Sequence, residues 1–129
     1  MGRFKGWKMP QPEHNQLTEW NWMVQWPENL VLEEGCDIGA FTYINAKNGV
    51  KLSKESQVGS HCSIYSVSTI DGRSGAVVLE ESACLGSHST VMPGVTIGKN
   101  SIVGAHSFVN KDIPPDSVAY GVPVKIVKK

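Results

Sequence analysis

Three of the four histidines share one repeated setting: His61, His88 and His106 are the fourth residues of VGSHCS, LGSHST and VGAHSF. An imidazole titrates near neutrality, which suits it to take a proton from an attacking hydroxyl or amine. His61 leads directly into a polar stretch, SVSTIDGRSGAV, that carries Thr69, Asp71 and Arg73. Asp71 is close enough in sequence to share a pocket with His61, and Arg73 could meet a phosphate. His61 is therefore the first choice for a general base and His88 the second, whereas His14 stands alone near the N-terminus and reads as structural. Cys36, Cys62 and Cys84 are odd in number and form no CxxC pair. Buried thiols in a reducing compartment fit them better than a disulfide framework.

The framework that would hold these groups is a sixfold repeat. From Leu32 the chain breaks into LEEGCD, IGAFTY and INAKNG, then LSKESQ, VGSHCS and a start at Ile64, then LEESAC, LGSHST and VMPGVT, then IGKNSI, VGAHSF and VNKDIP. Each hexad opens on an aliphatic residue, the second is often Gly, and the fifth is mostly small. A helical period of 3.6 cannot produce this pattern. Three short strands joined by tight turns make one triangular coil of about 18 residues, with the aliphatic residue inside and the small residue in the corner. The spacing predicts an all-β, left-handed parallel β-helix of about four coils over residues 30–118. A Trp-rich cap covers residues 1–29 and a short tail 119–129. Extra residues after Ile44 and after Ile64 must leave the prism as loops, and the longer loop is a candidate site.

In this register the three histidines belong to the middle hexads of coils two, three and four. They stack in a column about 5 Å apart, the inter-strand spacing. A column facing a groove would carry a base; one facing a symmetry axis would be an interface ladder without chemistry. All four tryptophans, Trp7, Trp20, Trp22 and Trp26, lie ahead of the repeats. They read as a cap on the first coil or a subunit contact, with sugar stacking by one of them as the other reading.

Lys plus Arg and Asp plus Glu number 12 each, so no overall field recruits nucleic acid or an anionic membrane, and an anionic ligand needs a local cluster. No run approaches the roughly 20 apolar residues of a membrane span, and no apolar signal segment opens the chain. The expectation is a cytoplasmic protein.

The run VMPGVTIGKNSIVGAHSFVNKDIPPDSVAYGVPVKIV, Val91 to Val127, resembles the C-terminal signature of the hexapeptide-repeat acetyltransferases. The resemblance implies a homotrimer that binds acetyl-CoA as co-substrate in grooves between subunits. It implies that Ser87 and Ala105 approach the pantetheine arm and that Asn110 and Lys111 lie near the adenine and phosphate end. Lys125 and Lys128 could add positive charge for the phosphates. Asn45 falls where such enzymes have an asparagine lining the acceptor site, and it also suits a turn. The position of the family's usual histidine base falls near Thr69, where no histidine stands. The column then supplies the alternatives, or an amine acceptor is deprotonated in solution and needs no protein base.

The function this implies is N-acetylation of a nucleotide-linked amino sugar for surface polysaccharide synthesis. The alternatives are O-acetylation of a small sugar or alcohol, a catalytically silent trimeric scaffold, and a zinc site like that of the γ-type carbonic anhydrases. The histidines are 27 and 18 residues apart in a single column, which does not fit that zinc pattern, and no metal is expected.

Overall fold

The computed structural model describes residues 5–128. The chain winds into coils of three short strands. Coil one has β1 (Met23–Gln25), β2 (Leu30–Leu32) and β3 (Asp37–Ile38); coil two has β4 (Tyr43–Asn45), β5 (Val50–Leu52) and β6 (Gln57–Val58). Coil three opens with β7 (Ser63–Tyr65), makes an excursion through β8 (Val67–Ser68) and β9 (Arg73–Ser74), and returns to β10 (Val77–Leu79) and β11 (Cys84–Leu85). Coil four has β12 (Thr90–Val91), β13 (Thr96–Ile97) and β14 (Ile102–Val103). The last coil has β15 (Phe108–Val109), a bridge at Ile113 and β16 (Val118–Tyr120), after which β17 (Lys125–Lys128) folds back antiparallel to β16.

Strands of successive coils pair in parallel to make three faces: β1-β4-β7-β12-β15, β2-β5-β10-β13, and β3-β6-β11-β14-β16-β17. The register aligns the hexad starts. Val24, Ile44, Ile64, Val91 and Val109 stack on the first face. Leu32, Leu52, Leu79 and Ile97 stack on the second, and Ile38, Val58, Leu85 and Val103 on the third. Apart from Leu32, these side chains are buried and fill the prism, where removal from water is the main stabilising term.

The parallel β-helix is as the period predicts, but it has five coils rather than about four. Trp22 and β1 belong to the first coil although they lie within residues 1–29, and β16 runs across the boundary drawn at residue 118. Trp22 fills a fifth position at the open end of the prism, where no coil above restricts its size, and it is 1% exposed. Among the described residues no helix is long and apolar enough to cross a membrane.

The repeat positions acquire distinct physical causes. The second-position glycines are required by close approach rather than by the turn: a Cβ on Gly39, Gly59 or Gly86 would lie 2.4–2.6 Å from the backbone nitrogen of Ser60, Ser87 or Ala105 in the next coil. The left-handed conformation falls instead at the fourth position, including Phe41, Glu55, His61, Ser82, His88, Asn100 and His106. On the turns from the third face to the first, the fifth position is small and also a donor. Thr42 Oγ1, Cys62 Sγ and Ser89 Oγ donate to the carbonyls of Gly59, Gly86 and Gly104 in the coil below, at 3.0, 3.2 and 3.2 Å. Each of these three side chains therefore ties two coils together.

Two outcomes are expected. Gly86→Ala forces coils three and four apart and should cost about 1–3 kcal/mol, read as a lower urea midpoint. Burial, reinforced by the Asp37 charge, pushes the Cys36 thiol up to about 11, and burial also raises Cys62. Both should resist a thiol reagent at pH 8 until the protein unfolds. Because the folded thiol holds its proton more tightly than the unfolded one, the stability Cys36 contributes is complete below the ordinary thiol value and is lost as pH rises towards 11. A urea midpoint that falls across that alkaline window checks the sign.

Candidate functional site

The turns from the third face to the first build the histidine column. His61, His88 and His106 have φ of 59°, 61° and 59°, and their N–H groups donate to Ala40, Ser60 and Ser87 of the preceding coil at 2.9–3.0 Å. Identical backbone conformation at one coil spacing stacks the rings. The centroids of His61 and His88 are 4.7 Å apart and those of His88 and His106 4.9 Å apart, with planes within 8°. Phe41 continues the column above His61 at 5.3 Å. All three imidazoles are exposed. Nitrogens in parallel planes at this separation cannot converge on one ion at about 2.1 Å, so within one chain the column is suited to proton transfer and stacking rather than to chelation.

Beside the column lies a shallow groove of about 400 Å³ over the third face. Its floor is Gly39, Gly59 and Gly86, its wall includes Ser60 and Ser87, and Ile102 stands on its lower side. The close-approach glycines thus leave the outer surface bare as well. Ala105 is exposed one coil below Ser87. Lys125 and Lys128 are exposed on β17, at the lower edge of the same face.

The turns from the first face to the second build a separate cluster. Asn45 is buried, and its Oδ1 accepts the Lys47 N–H at 3.1 Å, a turn-capping role. Tyr43 donates to Gln25 Oε1, Gln25 Nε2 donates to Asn15 Oδ1 at 2.8 Å, and Tyr65 lies 5.6 Å from Tyr43 ring to ring. Burial pushes the Tyr43 phenol above its ordinary value, against a hydrogen bond with Asn45. Sequence reasoning named Asn45 but not Tyr43, Gln25 or Tyr65. The signal was a polar or aromatic residue flanking the buried position in VQW, YIN and SIY, which is visible only once those segments are known to be neighbours.

The long insertion is an antiparallel hairpin, Val67 opposite Ser74 and Ser68 opposite Arg73. Thr69, Asp71 and Arg73 are exposed on it, and Ile70 at its tip is 97% exposed. Asp71 Oδ1 accepts the Arg73 N–H at 3.2 Å, and Oδ2 lies 3.4 Å from Arg73 Nε. The backbone N–H of Arg73 first, then Ser68 and the Arg73 charge, hold the Asp71 carboxyl below the usual carboxylate range. The hairpin thus pairs Asp71 with Arg73. His61 precedes β7 and Asp71 follows it, so one chain does not bring them into a common pocket. Likewise β15 separates Ala105 from Asn110 and Lys111, both exposed at its far end.

With this geometry defined, the relatives are informative. Residues 76–111 match the bacterial transferase hexapeptide family (six repeats). A Staphylococcus aureus (strain Mu50) protein described as an acetyltransferase is 31% identical over 115 residues, covering 87% of this chain and 58% of its own. The structure of a galactoside acetyltransferase in complex with coenzyme A aligns with a TM-score of 0.72 at 27% identity, covering 90% of this chain and 62% of its own. A hexapeptide-repeat acetyltransferase from Vibrio cholerae O1 biovar eltor, complexed with acetyl coenzyme A, aligns with a TM-score of 0.77 at 22% identity, covering 83% and 63%. The repeats of this chain are thus similar to those of hexapeptide-repeat transferases, and the family match itself spans residues 76–111. The chain spans less than two thirds of the length of these relatives.

Limited trypsin digestion should cut early after Arg73, because the hairpin stands clear of the prism. Asp71→Ala removes the carboxylate that closes its turn and should speed that cut, read as the appearance rate of the two fragments by mass spectrometry.

Proposed function

We propose that the protein transfers an acetyl group from acetyl-CoA to an amino group of a nucleotide-linked amino sugar, as a homotrimer with sites between subunits. The observation that carries this reading is the bare groove running beside a column of exposed imidazoles. A pantetheine arm is a chain of amides, and a track of glycine, serine and alanine lets it lie close to backbone. In this reading Ser87 and Ala105 flank the arm, and Lys125 and Lys128 meet the phosphates as point charges.

The reaction needs one proton movement at each stage. The acceptor nitrogen attacks the thioester carbonyl while His61 or His88 takes its proton. The tetrahedral intermediate then expels the CoA thiolate, which receives that proton from the imidazolium. In this reading Asn45, whose Oδ1 caps the Lys47 N–H, reaches the acceptor from a neighbouring copy with its amide N–H groups. An amine is a better nucleophile than a hydroxyl and depends less on a strong base, which favours an amino acceptor for a hairpin that carries Thr69 and no histidine. The coenzyme-bound galactoside acetyltransferase, at 27% identity, supports the second reading, O-acetylation of a sugar hydroxyl.

The division of the site into two corners supports assembly. The corner with His61, His88, Ser87 and Ala105 lacks the hairpin, Asn45, Asn110 and Lys111, which occupy the other corner of the same chain. Apposition of one copy's first corner to the next copy's second would complete the set. Phe41 and Ile102, 59% and 51% exposed, would be covered in such a contact.

Acetyl-CoA assayed with UDP- and dTDP-linked 3-amino and 4-amino sugars, with free thiol as readout, should show turnover with at least one. Turnover only with simple galactosides would select the hydroxyl reading, and no acetyl-CoA binding by calorimetry would leave a scaffold. The His61→Ala, His88→Ala pair should lose about 100-fold or more in kcat; retention of most of kcat overturns the base assignment. Mixing that variant with an Asn45→Ala, Lys111→Ala variant under subunit exchange should restore part of the activity, since some mixed interfaces carry both intact corners. No recovery would count against sites shared between copies.

A further inference from the structure

The N-terminal segment encloses a second cavity at the upper end of the same face. It measures about 290 Å³ and is lined by Lys5, Trp7, Lys8, Trp20, Trp22 and Asp37 among others. Asp37 also lines the groove over the third face, so the two spaces adjoin. The turn ladder leads to the same place. His106 bonds to Ser87, His88 to Ser60, His61 to Ala40, and Phe41 to Asn21, which directly follows Trp20. From Ser87 the third positions read Ser60, Ala40 and then Trp20, three coil spacings or roughly 14 Å along the column.

The cavity walls differ from a capping contact in two respects. Trp22 is 1% exposed and serves the core, but Trp20 is 39% exposed within a formed cavity. Trp7 is fixed by its indole N–H, which donates to the Cys36 carbonyl at 2.9 Å and thereby holds the ring along the cavity. A volume just under 300 Å³ is at the small end of ligand pockets and fits one ring rather than a whole nucleotide sugar. Rigid indole faces suit the C–H face of a pyranose, and a few charged groups around them suit its polar substituents. Lys8 pairs with Glu19 at 3.4 Å, an exposed ion pair weak enough to leave the ammonium able to turn towards a ligand.

We propose that this cleft is the sugar-ring subsite of the acceptor, in which a single amino-pyranose stacks on Trp20, with its amino group towards Asp37, where cleft and groove meet. The proposal rests on the acetyl-transfer reading, since the groove delivers the thioester and the cleft presents the nucleophile. Lys5 and Lys8, which also line the cleft, suit an anionic substituent of the sugar. The tryptophans ahead of the repeats then have a substrate role in addition to closing the prism.

The test uses the full chain in its native oligomer, titrated with UDP-glucosamine and followed by tryptophan fluorescence, with acetyl-CoA affinity measured separately by calorimetry. Trp20→Ala should weaken UDP-glucosamine binding by about tenfold or more, whereas Trp20→Phe, which keeps a ring face, should stay within about threefold. Neither should change acetyl-CoA affinity. Asp37→Asn should raise the acceptor KM with little change for a neutral probe, UDP-glucose. Wild-type sugar affinity in Trp20→Ala, or loss of the oligomer by light scattering in both Trp20 variants, overturns the subsite. Sugar binding without acetyl-CoA binding would instead sink the acetyl-transfer reading and leave the cleft as a sugar site. Acetyl-CoA binding without sugar quenching would do the reverse.

Discussion

Everything in this molecule depends on the distance between coils. Parallel backbone hydrogen bonding sets successive strands about 4.8 Å apart, and at the corners that spacing brings backbone against backbone. The second-position glycines exist because a methyl at Gly39, Gly59, Gly86 or Gly98 would sit 2.4–2.6 Å from a nitrogen in the next coil. The fifth-position donors exist because the remaining corner space admits a hydroxyl or thiol but nothing longer, and a small donor there satisfies the glycine carbonyl below. One constraint fixes the floor of the outer groove and the seal of the inner core together. A substitution that relaxed it would therefore damage both fold and site.

The same constraint turns sequence repetition into surface chemistry. A residue type repeated at one hexad position becomes a column, and the left-handed fourth position aims that column outward from every turn. Three histidines in that position give three parallel imidazoles at 4.7 and 4.9 Å. Phe41 stands above His61 where a fourth histidine would continue the column, so His61 has one imidazole neighbour and His88 has two.

The prism was legible in the sequence because aliphatic, glycine and small positions recur at a period that only stacked coils produce. The histidine column followed from register alone. The first coil was not legible, since Trp22 violates the small-residue rule at the one end of the prism where the rule does not operate. The partition of the site was hidden for a different reason. Asp71 is ten positions after His61 and reads as its neighbour, but three residues of β7 carry the chain across a whole face between them. Sequence distance is a poor guide in a solenoid, where residues a coil apart touch and residues a strand apart face different ways. The Tyr43, Gln25 and Tyr65 cluster escaped for that reason, as it joins three coils whose polar positions look unremarkable when read singly.

The proposed division of the site between two corners would have an energetic consequence for the whole particle. Each prism face is wide and nearly flat, and a five-coil core is small, so a single copy leaves Phe41 and Ile102 in water beside an open groove. Covering them against another copy would recover apolar burial and would at the same time bring a hairpin and an asparagine opposite an imidazole column. Stability and chemistry then favour the same contact. In that arrangement the exposed tip of the hairpin, with Ile70 almost wholly in solvent, would become a contact residue, and the Asp71 and Arg73 pair would brace the tip. The hairpin would then matter for turnover through its position beside the groove, without a catalytic side chain of its own.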